Sequence, residues 1–215
     1  FRAGYSSAGE PALASGARLE INQNSNFSAW SGAPLRPDNW TVTLTGVGPA
    51  NDRVSPVQTN WEFTGYACRL NMTAAAAGAT AQLRQTGLIV NNQVQQRLEF
   101  DYYYYNAAQV SHLTWQLLEI TGSTYYYNAT PDSWQETAVN NVLPVSSSAT
   151  QTRTRVGLDF SLLSGSYYRP SVMGTGSLRL DINVTSDGTA SGQINYDLYR
   201  VALYERYLYD YKTPK

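Results

Sequence analysis

The stretch Asn24-Ser25-Asn26-Phe27-Ser28-Ala29-Trp30, followed by Pro37-Asp38-Asn39-Trp40, lies near the start of the chain. A second strand-like run, residues 193–205, lies near its end. Both segments carry aromatic residues that can anchor them in a core, and a β-sandwich whose first and last strands pair needs such segments at both ends of one domain. The two segments therefore predict that the ends of the chain meet in a single β-sandwich.

Alternation of apolar and polar residues between these segments predicts about eight strands. The predicted strands cover residues 40–44, 61–70, 81–89, 95–105, 111–120, 151–160, 177–184 and 193–204. Eight antiparallel strands are typical of a jelly roll. The sequence therefore predicts an all-β fold, a jelly-roll β-sandwich at residues 20–205, with extended arms at residues 1–19 and 206–215.

The composition limits the classes of partner and cofactor. The net charge is −1 and no basic block occurs, so nucleic acid is not predicted as a partner. The single cysteine, Cys68, lies in a predicted strand as a buried apolar residue and offers no disulfide or thiolate metal site. The sequence contains no run of about 20 apolar residues, so no membrane span is predicted. The sequence begins with Phe1 instead of Met, so an N-terminal segment is expected to have been removed.

Strand alternation also assigns side chains to the two faces of a sheet. In the strand at residues 95–105, Leu98, Phe100, Tyr102 and Tyr104 are predicted to point into the core. Polar and aromatic side chains of this strand and two later ones are predicted to point outwards, namely Glu99, Asp101, Tyr103, Tyr105, Arg155, Asp159, Arg179, Asp181 and Asn183.

Residues 122–148 are predicted to form a long loop between two central strands, and loops of this length are often functional. This loop carries Tyr125, Tyr126, Tyr127 and Trp134. A second turn, Asp187-Gly188, predicts a tight hairpin between the last two strands, because both residues tolerate left-handed backbone conformations.

The outward face and the loop together form the candidate binding surface. Aromatic rings and planar polar side chains bind sugars, whose faces carry C–H groups and whose edges carry hydroxyls. Aromatic residues and arginine also dominate protein interfaces, so glycan and protein remain alternative ligands. After the last strand, Tyr207, Tyr209 and Tyr211 expose alternate aromatic rings and predict an arm that a partner covers.

The sequence offers few groups for catalysis. The single histidine, His112, lies in a predicted strand, where a hydrogen-bonded structural histidine is the commoner role. Glu99 and Asp101 are separated by roughly 7 Å on one strand face, which matches an inverting glycosidase, but acids on a polar strand face are usually only solvated. The sequence therefore predicts a protein that is not an enzyme, and a glycoside hydrolase or lyase using this pair is the least favoured alternative.

The opening segments resemble those of the galactose-binding-domain-like jelly rolls, which occur in carbohydrate-binding modules and in many phage tail and virion proteins. Members often open with N-x-x-F-x-x-W and a downstream D-x-W, and Asn24, Phe27, Trp30, Asp38 and Trp40 match these positions. The resemblance extends over roughly residues 20–205. It implies the sandwich fold independently of the strand pattern.

The resemblance also indicates the positions at which family members bind a metal. Family members often hold a structural calcium with an acid after N-x-x-F and an Asp-Asp-Val on the last strand. Ser28, Tyr199 and Arg200 stand at those positions here, which removes the oxygen ligands that calcium needs. No metal and no cofactor are therefore predicted.

The first functional hypothesis is a non-enzymatic phage virion structural or adhesion protein, a capsid decoration or tail-fibre component. Its partners would be other virion proteins or further copies of itself. The alternative is a secreted carbohydrate-binding module attached to a polysaccharide-degrading enzyme, with a cell-surface or plant polysaccharide as its ligand. Both hypotheses place the protein on a virion surface or outside the cell.

Overall fold

The computed structural model describes residues 4–5, 11–12, 18–46, 53–59, 65–72, 76–90, 95–105, 112–120, 123–143, 152–160, 177–186, 188 and 195–206. These residues form strands and turns and contain no helix. The strands are β1 (Gly4–Tyr5), β2 (Pro11–Ala12), β3 (Arg18–Glu20), β4 (Trp30–Ser31), β5 (Arg36–Pro37), β6 (Thr41–Thr45), β7 (Val54–Thr59), β8 (Gly65–Asn71), β9 (Thr80–Leu88), β10 (Gln95–Tyr105), β11 (His112–Ile120), β12 (Thr124–Asn128), β13 (Ser133–Gln135), β14 (Asn141–Val142), β15 (Thr152–Phe160), β16 (Ser177–Thr185) and β17 (Asn195–Arg206).

Two large antiparallel sheets form the sandwich, which confirms the predicted all-β jelly roll. Sheet 1 has the order β15-β10-β17-β8-β7, and β3 pairs with β17. Sheet 2 has the order β13-β12-β11-β16-β9-β6, and β14 pairs with β11. Two small hairpins, β1-β2 and β4-β5, lie outside these sheets.

The core lies between the inner faces of the two sheets. The four side chains predicted to point inwards from β10 are all buried, and Leu178, Leu180 and Ile182 of β16 are buried in the same core. Aromatic rings join the two layers, since Phe100 of sheet 1 lies 5.5 Å from Trp115 of sheet 2 between ring centroids. Burial of such rings supplies much of the stabilising free energy of a sandwich.

The opening segment is hydrogen-bonded to the last strand, β17, as the sequence predicted. Ile21 N donates to Leu203 O at 2.8 Å, and Val201 N donates to Ser25 O at 2.8 Å. The side chain of Asn22 completes this edge, because its Nδ2 donates to Val201 O at 2.7 Å and its Oδ1 accepts from Leu203 N at 2.6 Å. The amide of Asn22 thus continues the pairing of β17 after β3 ends at Glu20.

Left-handed backbone conformations bend the opening segment around its aromatic anchors. Asn24 and Phe27 have φ values of 48° and 53°. The Asn24 side chain holds the bend, since its Nδ2 donates to Ala29 O at 2.8 Å and to Asp38 O at 3.0 Å. Phe27 is fully buried and lies 5.5 Å from Trp40 between ring centroids. The matched residues of the opening segment therefore act in folding, as the resemblance implies.

The structure contradicts two local predictions. β16 and β17 do not form the hairpin predicted at Asp187-Gly188, because β16 belongs to sheet 2 and β17 to sheet 1. Residues 122–148 are not one long loop, because β12, β13 and β14 lie within them. The Pro131-Asp132 sequence is instead the turn of a β12-β13 hairpin, with Tyr127 opposite Trp134 and Asp132 at a φ of 61°.

Several predictions concern residues for which the structure gives little or no description. Tyr207, Tyr209 and Tyr211 of the predicted partner-binding arm lie outside the described residues, as do most of residues 1–19. Tyr105 ends β10, and the position of its side chain is not described. The described part of the chain includes no helix with the length and apolar character needed to cross a membrane.

Candidate functional site on the outer face of sheet 2

The structure distributes the predicted site residues over both outer faces of the sandwich. Glu99, Asp101 and Tyr103 of β10 lie beside Arg155 and Asp159 of β15 on the outer face of sheet 1. Arg179 and Asp181 lie on β16, whose outer face belongs to sheet 2. Since the outer faces of a sandwich point in opposite directions, these residues cannot contact one ligand together.

On sheet 1, Asp101 is held by two arginines of β15. Arg153 donates to both carboxylate oxygens, at 2.7 and 2.6 Å, and Arg155 Nη2 donates to Oδ2 at 3.0 Å. Burial acts to raise the pKa of Asp101, but the hydrogen bonds from both arginines outweigh burial and hold that pKa below the usual aspartate value. Asp101 therefore remains an ionised carboxylate, and the Arg155 side chain stays 69% exposed.

Glu99 and Asp159 share a single arginine on the same face. Arg97 Nε donates to Glu99 at 2.6 Å, and Arg97 Nη1 lies 3.1 Å from Asp159. The guanidinium crosses β15 at Gly157, where a Cβ atom would lie 2.1 Å from Arg97 Nη2. The hydrogen bond to Glu99 is the main reason that the pKa of Arg97 is raised. Both predicted acids are thus engaged by a side chain of the protein.

Tyr103 lies in the same outer surface, opposite Arg153 on one side and Asp197 on the other. Arg153 also stacks over the ring of Tyr199, with its guanidinium carbon 5.0 Å from the ring centroid. Stacked and bidentate contacts of this kind hold an arginine in one orientation. The outer face of sheet 1 is therefore a layer of mutually paired charges and tyrosine rings.

The predicted aromatic loop residues have two different environments. Tyr127 is buried and lies 5.4 Å from Trp134 and 5.3 Å from Phe160 between ring centroids, so Tyr127 and Trp134 pack against the core. Burial is the main reason that the pKa of Tyr127 is raised. Tyr125 points to the same side as Tyr127, whereas Tyr126 lies opposite Leu118 on the outer side of sheet 2. Of these four residues, Tyr126 is the one that lies on the outer face of sheet 2.

Polar side chains of four neighbouring strands form rows across the outer face of sheet 2. In the first row, Gln82 lies opposite Thr43 and Asn183, and Asn183 lies opposite Thr114. A row of four strands is roughly 14 Å long. We call this surface the amide face, and it comprises Thr43, Gln82, Arg84, Thr114, Gln116, Asn140, Asp181 and Asn183.

A charged cluster lies in the second row of the amide face. Arg84 of β9 donates to both oxygens of Asp181, at 2.7 and 2.9 Å, and Arg179 Nη2 donates to Oδ2 at 2.8 Å. The Asp181 side chain is fully buried beneath the two guanidinium groups. Its hydrogen bond is the main reason that the pKa of Arg84 is raised. This cluster leaves both guanidinium groups partly exposed, so it offers hydrogen-bond donors at the surface.

The amides beside this cluster have hydrogen-bonding capacity that the described residues do not use. Gln82 Nε2 donates to Asn183 Oδ1 at 2.8 Å, and Gln116 Nε2 donates to Asn140 Oδ1 at 2.9 Å. Each pair leaves one carbonyl oxygen and one NH₂ group with no further hydrogen bond to the described part of the chain. Donors and acceptors in fixed positions are what a ligand rich in hydroxyl groups requires.

Gln82, Arg84, Gln116 and Asn140 were not among the predicted site residues. Strand alternation indicates that Gln82, Arg84 and Gln116 share an outward side with polar neighbours. The sequence does not indicate that β9, β16 and β11 are adjacent, and Asn140 lies in a segment predicted as a loop. Within the described ranges, no three His, Cys, Asp or Glu side chains are grouped as a metal site would require.

Comparison with known proteins supports the fold. No protein-family model matches the chain, and no curated protein matches it in sequence. A solved protein of Bacteroides thetaiotaomicron named for sugar binding matches with a TM-score of 0.50 and 10% identity, over 87% of this chain and 100% of that one. A xylan-binding module of family 22 from Paenibacillus barcinonensis matches with a TM-score of 0.43 and 11% identity, over 91% and 98%.

A phage protein also shows structural similarity. Tailspike protein 4 of bacteriophage CBA120 matches in its enzymatically active domain with a TM-score of 0.48 and 16% identity, over 86% of this chain. This chain spans 21% of the tailspike chain it matches. The match to the Bacteroides thetaiotaomicron protein confirms the resemblance to galactose-binding-domain-like jelly rolls as a likeness in fold. The similar structures are mainly carbohydrate-binding modules.

Proposed function

We propose that this protein is a non-catalytic glycan-binding β-sandwich that holds a sugar chain on the amide face. The observation that carries this proposal is the pair of side-chain amide contacts, Gln82 with Asn183 and Gln116 with Asn140, each with an unused donor and an unused acceptor. Neighbouring hydroxyl groups of a sugar donate and accept hydrogen bonds, and planar amides supply both functions at fixed spacing.

The environment of the acids supports a non-catalytic role. A general acid of a glycosidase needs a raised pKa, and an inverting base needs a free carboxylate beside a water. Asp101 instead has a lowered pKa and accepts hydrogen bonds from two arginines, and Glu99 accepts one from Arg97. Neither carboxylate of the predicted pair has the environment that this chemistry requires.

We place this activity in a virion structural or adhesion protein, where the amide face would bind a host-surface glycan. In this setting the outer face of sheet 1, with Tyr103 and the exposed Arg155, would contact another virion protein or a second copy of the chain, since arginine and tyrosine are common interface anchors. A secreted carbohydrate-binding module attached to a polysaccharide-degrading enzyme is the alternative. Both place the protein outside the cell or on a particle surface.

Affinity electrophoresis in polysaccharide gels, guided by a glycan array, tests the binding face. Asn183→Asp keeps the acceptor that Gln82 uses but replaces the unused NH₂ donor, so we expect retention by the ligand to fall about fivefold to tenfold. Arg155→Ala is the matched control on the opposite face, because Asp101 keeps its two bonds from Arg153. The proposal fails if no glycan is retained, or if Arg155→Ala weakens retention as much as Asn183→Asp.

Two further measurements separate the biological settings. Sedimentation at high concentration tests self-association, and sequencing the source locus identifies neighbouring capsid or hydrolase genes. Oligomers and neighbouring capsid genes support the virion setting. A strict monomer that is retained by an insoluble polysaccharide supports the enzyme-attached module instead.

A further inference from the structure

A cleft opens on one flank of the sandwich, between β14 of sheet 2 and β15 of sheet 1. Its volume is about 380 Å³, which lies in the range of small-ligand sites. We call it the flank cleft. Trp115, Leu143, Val156 and Leu158 form its apolar walls, and Asn128 and Asn140 lie among its polar lining residues.

The flank cleft is mainly apolar because it opens into the space between the sheets. Trp115 and Leu143 are buried, whereas Val156 and Leu158 of β15 are only half-buried although they lie on the core side of their strand. None of the described residues that line the cleft carries a charge. An ionised group in it would lose its hydration without gaining a partner, so the cleft favours a neutral ligand with an apolar part.

Asn140 supplies a hydrogen-bond donor to this apolar space. Its Oδ1 already accepts from Gln116 Nε2 at 2.9 Å, which leaves its Nδ2 group as the available function. The side chain is exposed, and Asn140 is one of the residues that line the flank cleft. A mainly apolar pocket with an available N–H donor at Asn140 matches a group that combines a methyl with a carbonyl oxygen.

The flank cleft also joins the proposed glycan surface. Asn140 belongs to both the amide face and the cleft, and Val142 of the cleft lies opposite Thr114 of the amide face in the strand register. A sugar held by Gln116 and Asn140 would therefore have a substituent within reach of the cleft.

We propose that the flank cleft binds the acyl group, N-acetyl or O-acetyl, of a sugar whose ring lies on the amide face. The acyl methyl contacts Val156 and Leu158, and the acyl carbonyl accepts a hydrogen bond from Asn140 Nδ2. An unsubstituted hydroxyl would lose hydrogen bonds to water in an apolar space, so the cleft selects for acylated sugars. This inference rests on the proposed function and adds the class of glycan to it.

Two trisaccharides with the same β-1,4 linkage test the inference, because chitotriose carries N-acetyl groups and cellotriose does not. Each is titrated to millimolar concentration into labelled protein, and the Trp115 indole and the side-chain amides of Asn140 and Asn183 are followed by NMR. Chitotriose is expected to shift the signals of Trp115 and Asn140. Cellotriose is expected to shift the signal of Asn183 while leaving that of Trp115 unchanged.

Asn140→Asp and Asn183→Asp are matched variants for this titration. Both keep the acceptor of an existing amide pair and lose one NH₂ group. Asn140→Asp is expected to weaken chitotriose binding about fivefold to tenfold and cellotriose binding by less, because only chitotriose carries the acyl carbonyl, whereas Asn183→Asp weakens both to the same extent.

The outcomes distinguish this inference from the proposed function. If both trisaccharides shift Asn183 and neither shifts Trp115, the acyl site is wrong and the glycan-binding face stands. If chitotriose shifts Trp115 and neither sugar shifts Asn183, the acyl site stands and the amide face is wrong. If neither sugar shifts any of the three signals, the acyl site is overturned, and the proposed function is decided by the glycan array.

Discussion

Replacement of Asn22 by alanine is expected to weaken the attachment of the opening segment to the closing strand. Asn22 is 4% exposed and is hydrogen-bonded to the backbone of Val201 and Leu203, both of which are fully buried. Alanine removes the whole amide and supplies no replacement partner. Val201 O and Leu203 N would then lose hydrogen-bond partners inside the protein.

The cost follows from those two backbone groups. Each buried polar group left without a partner costs about 1–3 kcal/mol, so the loss of two partners in Asn22→Ala should lower the free energy of unfolding by roughly 2–6 kcal/mol. A domain of this size shifts its Tm by about 2–4 °C for each kcal/mol, so a loss of about 4 kcal/mol, the middle of that range, gives a decrease of roughly 8–16 °C. Asn22→Asp should cost at least as much, because its second oxygen would face the carbonyl oxygen of Val201.

Urea unfolding followed by tryptophan fluorescence, together with calorimetry, measures the effect. Asn26→Ala is the control, since Asn26 is exposed and its side chain accepts only a local bond from Ser28 N at 3.3 Å. Its midpoint should equal that of the unmodified protein. The reasoning is refuted if Asn22→Ala unfolds at the same urea concentration as the unmodified protein, or if both variants lose the same amount of stability.

Three further predictions concern titratable groups. The folded pKa of Asp101 is below its unfolded value, so its ionised carboxylate stabilises the fold above about pH 4, and this contribution is lost as pH falls through the folded pKa. In urea unfolding at several pH values, Asp101→Asn should lose less stability towards acid than the unmodified protein. Parallel stability profiles of the two proteins would contradict this. Burial raises the pKa of Tyr102 to about 12, so the free energy of unfolding should fall as pH rises from about 10 towards 12, and it should fall less in Tyr102→Phe. Tyrosinate absorbance and unfolding curves measure this. Ionisation of Tyr102 together with the exposed tyrosines would disprove it. Burial, and after it the negative charge of Asp197, raises the pKa of Cys68, so the native thiol should react with Ellman's reagent only as fast as the protein opens; immediate reaction would refute its burial.

The sequence predicted the regular strands well because their pattern is local. Backbone sterics place successive side chains on opposite faces, so alternation in residues 95–105 indicates both the strand and its buried side chains. The short strands were missed for a related reason. β7 contains Pro56, which is tolerated at the edge of a sheet but obscures a strand pattern, and β12 to β14 are interrupted by turn residues.

Which strands are neighbours was decided only by the tertiary structure. The sequence Asp187-Gly188 carries a hairpin pattern, yet the strands before and after it, β16 and β17, belong to different sheets. Asp101 and Asp181 have similar surroundings in the sequence and lie on opposite faces of the sandwich. Tyr127 and Trp134 have the composition of a binding loop, but their rings pack against the core.

The candidate site shows most clearly what the sequence determines and what only the tertiary structure decides. The sequence alone determined that Gln82 and Asn183 point away from the core, since each lies between apolar residues on a strand. Their hydrogen bond joins residues separated by 101 positions, and that of Gln116 with Asn140 joins residues separated by 24. Contacts across such separations form only when core packing determines which strands pair. The free-energy cost of closing long loops is offset by packing the whole sandwich.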